Sequence, residues 1–185
     1  MRAADAVRSA ARYLEGCMEA KEYLENLRAS LEGHVVEYTR LAANSLLIYV
    51  ECEPGDKKGV TIWFEPTWHF CGAEGVLLGS RQAQMGDEPE DEEAFHRLAE
   101  PLRVLEGKKI ESVVVEPRTF DLHMFLEGNY WVKTFVADPT DEESWHIREN
   151  ATGQRLKGSP KGIVIEPERT EQAAEADRNS AALKF

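Results

Sequence analysis

Leu31-Glu32-Gly33 and Leu105-Glu106-Gly107 open two stretches of this chain that then follow the same course. Each stretch passes through apolar, strand-like runs to a Trp-His-apolar triplet, Trp68-His69-Phe70 and Trp145-His146-Ile147, and ends in a Gly-Ser pair, Gly79-Ser80 and Gly158-Ser159. The offset between the copies grows from 74 at Leu-Glu-Gly to 77 at Trp-His and 79 at Gly-Ser, the drift that small loop insertions leave after a duplication. Self-similarity at such a period constrains architecture more than local propensity does. The expected fold is α+β, made of internally duplicated helix-plus-antiparallel-meander units whose helices pack on one face of one or two antiparallel sheets.

The elements follow from periodicity. Between Ala3 and Leu31 apolar residues recur at helical spacing (Val7, Ala10, Leu14, Leu24, Leu27, Leu31), with Gly16 a break point and Gly33 a left-handed cap. The period then changes to two, and strands are expected at 35–38, 45–50, 60–64, 68–70 and 76–78. Residues 87–93 carry six carboxylates and read as the seam between halves, before a helix with Phe95, Leu98, Leu102 and Leu105 on one face and a kink or restart at Pro101. Strands resume at 110–115, 121–126, 130–136, 144–148 and 162–165, with a hairpin turn at Glu127-Gly128-Asn129. The organisation is thus residues 1–86 and 87–165 as two repeats in one compact unit, then a polar tail over 166–185.

Composition narrows the class. No apolar run approaches the roughly 20 residues that span a bilayer, and charges interrupt the N-terminus where a secretory leader would be apolar. Three cysteines without CxxC spacing, Cys17, Cys52 and Cys71, read as buried reduced thiols of a cytoplasmic protein. With 34 acidic against 22 basic residues, the formal charge of −12 opposes nucleic-acid binding and favours a basic partner.

Alternation along a strand turns Trp68 and Phe70 to one face and His69 and Cys71 to the other; Trp145 and Ile147 repeat this, with His146 and Arg148 opposite. The tryptophans read as core. His69, Cys71 and His146 are the residues that a cleft between the repeats would bring together as zinc ligands, although their spacing is sparse for a metal site and no metal or other cofactor is expected. Asp121 and His123 share a face, but no nucleophile stands in a recognisable frame. The Gly-Ser pairs lack strand–turn–helix or phosphate-loop spacing and read as turns. For partner binding, the pattern selects the carboxylates Asp87, Glu88, Glu90, Asp91, Glu92 and Glu93, with Tyr130 and Trp131 as aromatic anchors.

The segment Leu102-x-x-Leu105-x-Gly107-x-x-Ile110, followed by Asp121-Leu122-His123-Met124-Phe125, Glu127-Gly128-Asn129 and Glu143-Ser144-Trp145-His146-Ile147, resembles small uncharacterised bacterial α+β proteins of the type that gives immunity to polymorphic toxins. That resemblance covers about 60 residues and brings no catalytic residues. It implies a non-enzymatic, acidic inhibitor that neutralises a basic protein such as a bacterial toxin. Beside it stand an enzyme or small-ligand or metal-binding module working in the cleft between repeats, and an assembly protein dimerising through the N-terminal helix.

Overall fold

The computed structural model of the protein describes residues 22–83, 89–140 and 143–166. Helix α1 occupies residues 22–31. Five strands follow: β1 (Val36–Ala42), β2 (Ser45–Val50), β3 (Val60–Phe64), β4 (Trp68–Gly72) and β5 (Gly75–Gly79). Helix α2 (Pro89–Ala99) runs into a 3-10 helix (Glu100–Leu105). Six strands complete the chain: β6 (Ile110–Val115), β7 (Leu122–Leu126), β8 (Tyr130–Thr134), β9 (Trp145–Glu149), β10 (Arg155–Ser159) and β11 (Gly162–Glu166). No described helix is long and apolar enough to cross a membrane.

The strands form two antiparallel sheets, a six-stranded one ordered β1-β2-β3-β9-β10-β11 and a five-stranded one ordered β5-β4-β8-β7-β6. Each sheet therefore joins strands from both halves of the sequence. Consecutive meanders were expected; instead the chain leaves the first sheet after β3 and returns to it only at β9. Adjacent pairs are local, but the central pairs β3–β9 and β4–β8 are long-range, and single-strand periodicity cannot report them.

Matching β1–β5 with β6–β10 gives the same strand order in both sheets. The bulge between Val36 and Tyr38 in the β1–β2 ladder recurs between Ile110 and Ser112 in β6–β7. At the junction the hydrogen bonds are reciprocal: Gly33 N–H donates to Ile110 O and Gly107 N–H to Val36 O, both at 2.8 Å, while Ile110 N–H donates to His34 O and Val36 N–H to Lys108 O, both at 2.9 Å. Gly33 and Gly107 follow their helices at φ of 88° and 81°, a region open to glycine at little cost. The Gly-Ser pairs depart from this correspondence by one position, since Gly79 lies opposite His69 but Gly158 lies opposite Trp145.

One face of each sheet turns to a single core. Trp68, Phe70, Met124 and Val132 come from one sheet, and Ile48, Ile62, Phe64, Trp145 and Ile147 from the other; Leu24, Leu27 and Leu31 of α1 and Leu102 and Leu105 of the 3-10 helix enter the same cluster. Trp68 and Trp145 are fully buried, and each indole N–H crosses the core to donate to a carbonyl between the first two strands of the opposite sheet: Asn44 O at 2.8 Å and Phe120 O at 2.7 Å. Burying such rings stabilises by about 2–3 kcal/mol each or more, provided the N–H keeps a partner.

Two local expectations are corrected. Residues 89–93, read as the seam that precedes the second helix, are its first turns instead: α2 begins at Pro89, a residue suited to a first helical turn. Gly158-Ser159 ends strand β10 and is not itself a turn, so the second half has one strand more than its periodicity suggested. Pro101 does restart the backbone, as the 3-10 helix.

Candidate functional site

The outward face of the six-stranded sheet carries the densest chemistry. Because neighbours on a strand alternate, residues flanking the core positions of β2, β3, β9 and β10 point away from the core. Register lines them up in two rows. One runs Tyr38, Tyr49, Thr61, Arg148, Arg155, and the next runs Arg40, Leu47, Trp63, His146, Lys157.

The loop between β2 and β3 folds over the first row. Leu47, Tyr49 and Cys52 form a second, smaller apolar cluster there, with Ala42 and Trp63 packed against it. Asn150 holds the loop: its Nδ2 donates to Lys58 O at 3.0 Å and its Oδ1 accepts from the Thr61 hydroxyl at 3.1 Å. Beneath lies a cavity of about 250 Å³ lined by Tyr49, Gly55, Asp56, Lys57, Thr61, Trp63, Arg148 and Asn150. Among the described residues neither Lys57 nor Arg148 has an ion-pair partner. Arg148 also sits directly across from Arg155, a like-charge pairing that disfavours the sheet. Burial raises the Tyr49 phenol above its ordinary value, against the pull of the Arg40 cation.

Trp63 links the cavity to a half-buried charge network. Its ring stacks on His146, centroids 5.0 Å apart at 23°. His146 Nδ1 hydrogen-bonds Glu143 Oε1, and Lys157 Nζ donates to Glu143 Oε2 at 2.6 Å and to Glu166 Oε1 at 3.3 Å. Burial works to raise the Glu143 carboxyl, but the His146 and Lys157 hydrogen bonds outweigh it and hold it below its ordinary value. Burial likewise opposes the Lys157 charge, and Glu143 and Glu166 keep the ammonium above its ordinary value. Glu65 completes the group, with Oε1 3.9 Å from His146 Nδ1 and Oε2 accepting from the Ser45 hydroxyl at 2.5 Å. Glu65, Glu143 and His146 could together ligate a metal, since one ligand atom from each lies within 4.8 Å of the others. Lys157 and the His146 contact already satisfy Glu143, so a cation there would displace a formed hydrogen bond.

The anticipated trio of His69, Cys71 and His146 does not assemble. Trp68 and Trp145 both turn into the shared core, so His69 and His146 point outward from different sheets, on opposite sides of that core. His69 neighbours Lys133 and packs on Phe135 at 4.6 Å; burial, then the Lys133 charge, lowers its pKa. Cys71 is buried and free, as is Cys52, and burial pushes both thiols up; Cys17 lies outside the described residues. Asp121 accepts from the Thr134 hydroxyl at 3.5 Å, and His123 lies beside Lys133 with its pKa lowered chiefly by burial.

Of the anticipated partner-binding residues, Asp87 and Glu88 lie outside the described residues, and Glu90, Asp91 and Glu92 fall within α2. Glu93 is exposed and pairs with Arg97 at 3.2 Å. Tyr130 is half-buried against Phe70, with ring centroids 5.9 Å apart. Trp131 is half-buried on the outer face of the five-stranded sheet, between Phe125 and Cys71 in the register. Periodicity missed Trp63, Glu65, Glu143, Arg148 and Lys157 as a group. Alternation could have marked Trp63 as outward beside the inward Ile62, but only the β3–β9 pairing sets it against His146.

No model of a known protein family, no curated protein and no solved structure matches the chain.

Proposed function

We propose that this protein is a binding protein whose working face is the outer side of the six-stranded sheet, where the cavity under the β2–β3 loop holds a small anion. The observation that carries this reading is the convergence of Lys57 and Arg148, both without carboxylate partners among the described residues, on one cavity of a chain with formal charge −12. Such an island of positive charge works against the rest of the surface, and a bound anion compensates it. Titrating inorganic phosphate should give saturable amide shifts confined to residues 55–63 and 148–150. Arg148→Met should weaken binding about tenfold or more, the weight of a charge-assisted hydrogen bond. Shifts that never saturate, or that ignore Arg148→Met, would reject the reading.

A second reading is an acidic inhibitor of the immunity type that neutralises a basic protein partner. It is favoured by the net charge and by the carboxylates that open α2. Co-expression with its basic toxin should then rescue growth and yield a complex that loosens as salt rises; affinity indifferent to salt would remove its electrostatic basis.

The two halves are read as copies of one ancestral helix-and-strand unit, with the helices closing one side of the common core. The shared strand order, the repeated bulge and the reciprocal hydrogen bonds of Gly33 and Gly107 support this.

A further inference from the structure

We infer that the ligand of this cavity is a small aromatic carboxylate: one ring bearing one negative charge. The inference rests on the anion-binding reading above and narrows it by size, charge and wall chemistry. At about 250 Å³ the cavity falls below the roughly 300–1,000 Å³ of drug-sized sites, and a single ring with its acid group suffices to fill it. Lys57 and Arg148 stand against the Asp56 carboxylate, whose Oδ2 accepts the Glu53 amide at 2.8 Å, so one net positive charge faces the ligand. That balance suits a monoanion better than a phosphate dianion. The planar guanidinium of Arg148 matches a carboxylate through two parallel hydrogen bonds.

The walls select the rest of the molecule. Trp63 and Tyr49 line the same cavity, and aromatic pairs add to burial through the ring quadrupole. Trp63 is also held from behind by its stack on His146, itself fixed by Glu143, so the indole is positioned before any ligand arrives. An aliphatic acid would satisfy Arg148 and leave this wall unused.

The test is a titration of the full-length protein with benzoate, cyclohexanecarboxylate and acetate, followed by amide and indole N–H shifts. Benzoate should bind about 2- to 10-fold tighter than cyclohexanecarboxylate, the range expected of one aromatic pair, and tighter still than acetate, with the Trp63 indole among the shifted signals. Arg148→Met should weaken all three, whereas Trp63→Leu should bring benzoate down to the level of cyclohexanecarboxylate. If phosphate and acetate bind through Arg148 while benzoate gains nothing over cyclohexanecarboxylate, this inference fails and the anion site stands. If no anion saturates the site, both fall. The comparison of the three acids on the unaltered protein decides the matter even if Trp63→Leu does not fold.

Discussion

At the scale of single residues, Gly158 shows how closely the core is fitted. A Cβ there would lie 2.0 Å from Trp145 Cε2, and Trp145 cannot retreat without giving up the bond from its indole to Phe120 O. Gly158→Ala should therefore destabilise by about 3 kcal/mol or more, at the upper end for overpacking, read as a lower urea midpoint at unchanged slope. Lys157, one residue away, is tested through pH. The Glu143 carboxyl is held below its ordinary 4.5, so its contribution is present above that pH and lost as pH falls through the folded-state value. The Lys157 ammonium is held above its ordinary 10.5, so its contribution is present below that pH and lost as pH rises through the folded-state value. Lys157→Met should cost about 1–2 kcal/mol at pH 7, with the deficit constant across the neutral range and shrinking at either extreme. A deficit that tracked pH between 6 and 9 would point to another titrating group. The sequence made half of this site legible. Alternation beside a buried tryptophan turned His146 outward correctly, but nothing near residue 146 announces Glu65, which arrives through β3.

At the scale of elements, the helix over 22–31, the helix after residue 89 and most strands were readable because their apolar periods are regular and their caps are explicit, while the helical pattern over 3–21 lies outside the described residues. Leu102 and Leu105 stand three apart, and the 3-10 geometry after Pro101 puts both on one side, fully buried. Leu102→Ala should cost about 2–5 kcal/mol, as other buried leucines do, and calorimetry should show a correspondingly lower midpoint. Strand β10 was not legible for the opposite reason. Arg155-Leu156-Lys157-Gly158-Ser159 offers one apolar side chain to the core; its other inward position is the glycine on which Trp145 rests. Two of its three outward positions, Arg155 and Lys157, are cations on the face of the candidate site. A strand that gives its side chains to a binding face loses the alternation that would betray it.

At the scale of the whole molecule, neither half of the sequence can complete a sheet alone. Residues 1–86 supply β1–β3, whose outer partner β9 lies in the second half, and the β4–β5 hairpin, whose partner β8 does too. Separate fragments 1–86 and 87–185 should each lack cooperative unfolding by circular dichroism and regain it on mixing; a fragment that melts sharply alone would count against the exchanged topology. This pattern also bears on synthesis. From Gly79 at the end of β5 to Thr134 at the end of β8 the ribosome must add 55 residues, which at about 5–20 residues per second takes roughly 3–11 s. Throughout that interval the backbone amides and carbonyls on the free side of β4 have no native neighbour, as do those of β3 until β9 emerges. The nascent chain thus presents two sticky strand flanks at once, and a chaperone that shields extended segments should raise the yield of folded protein most when translation is slowed between codons 80 and 134.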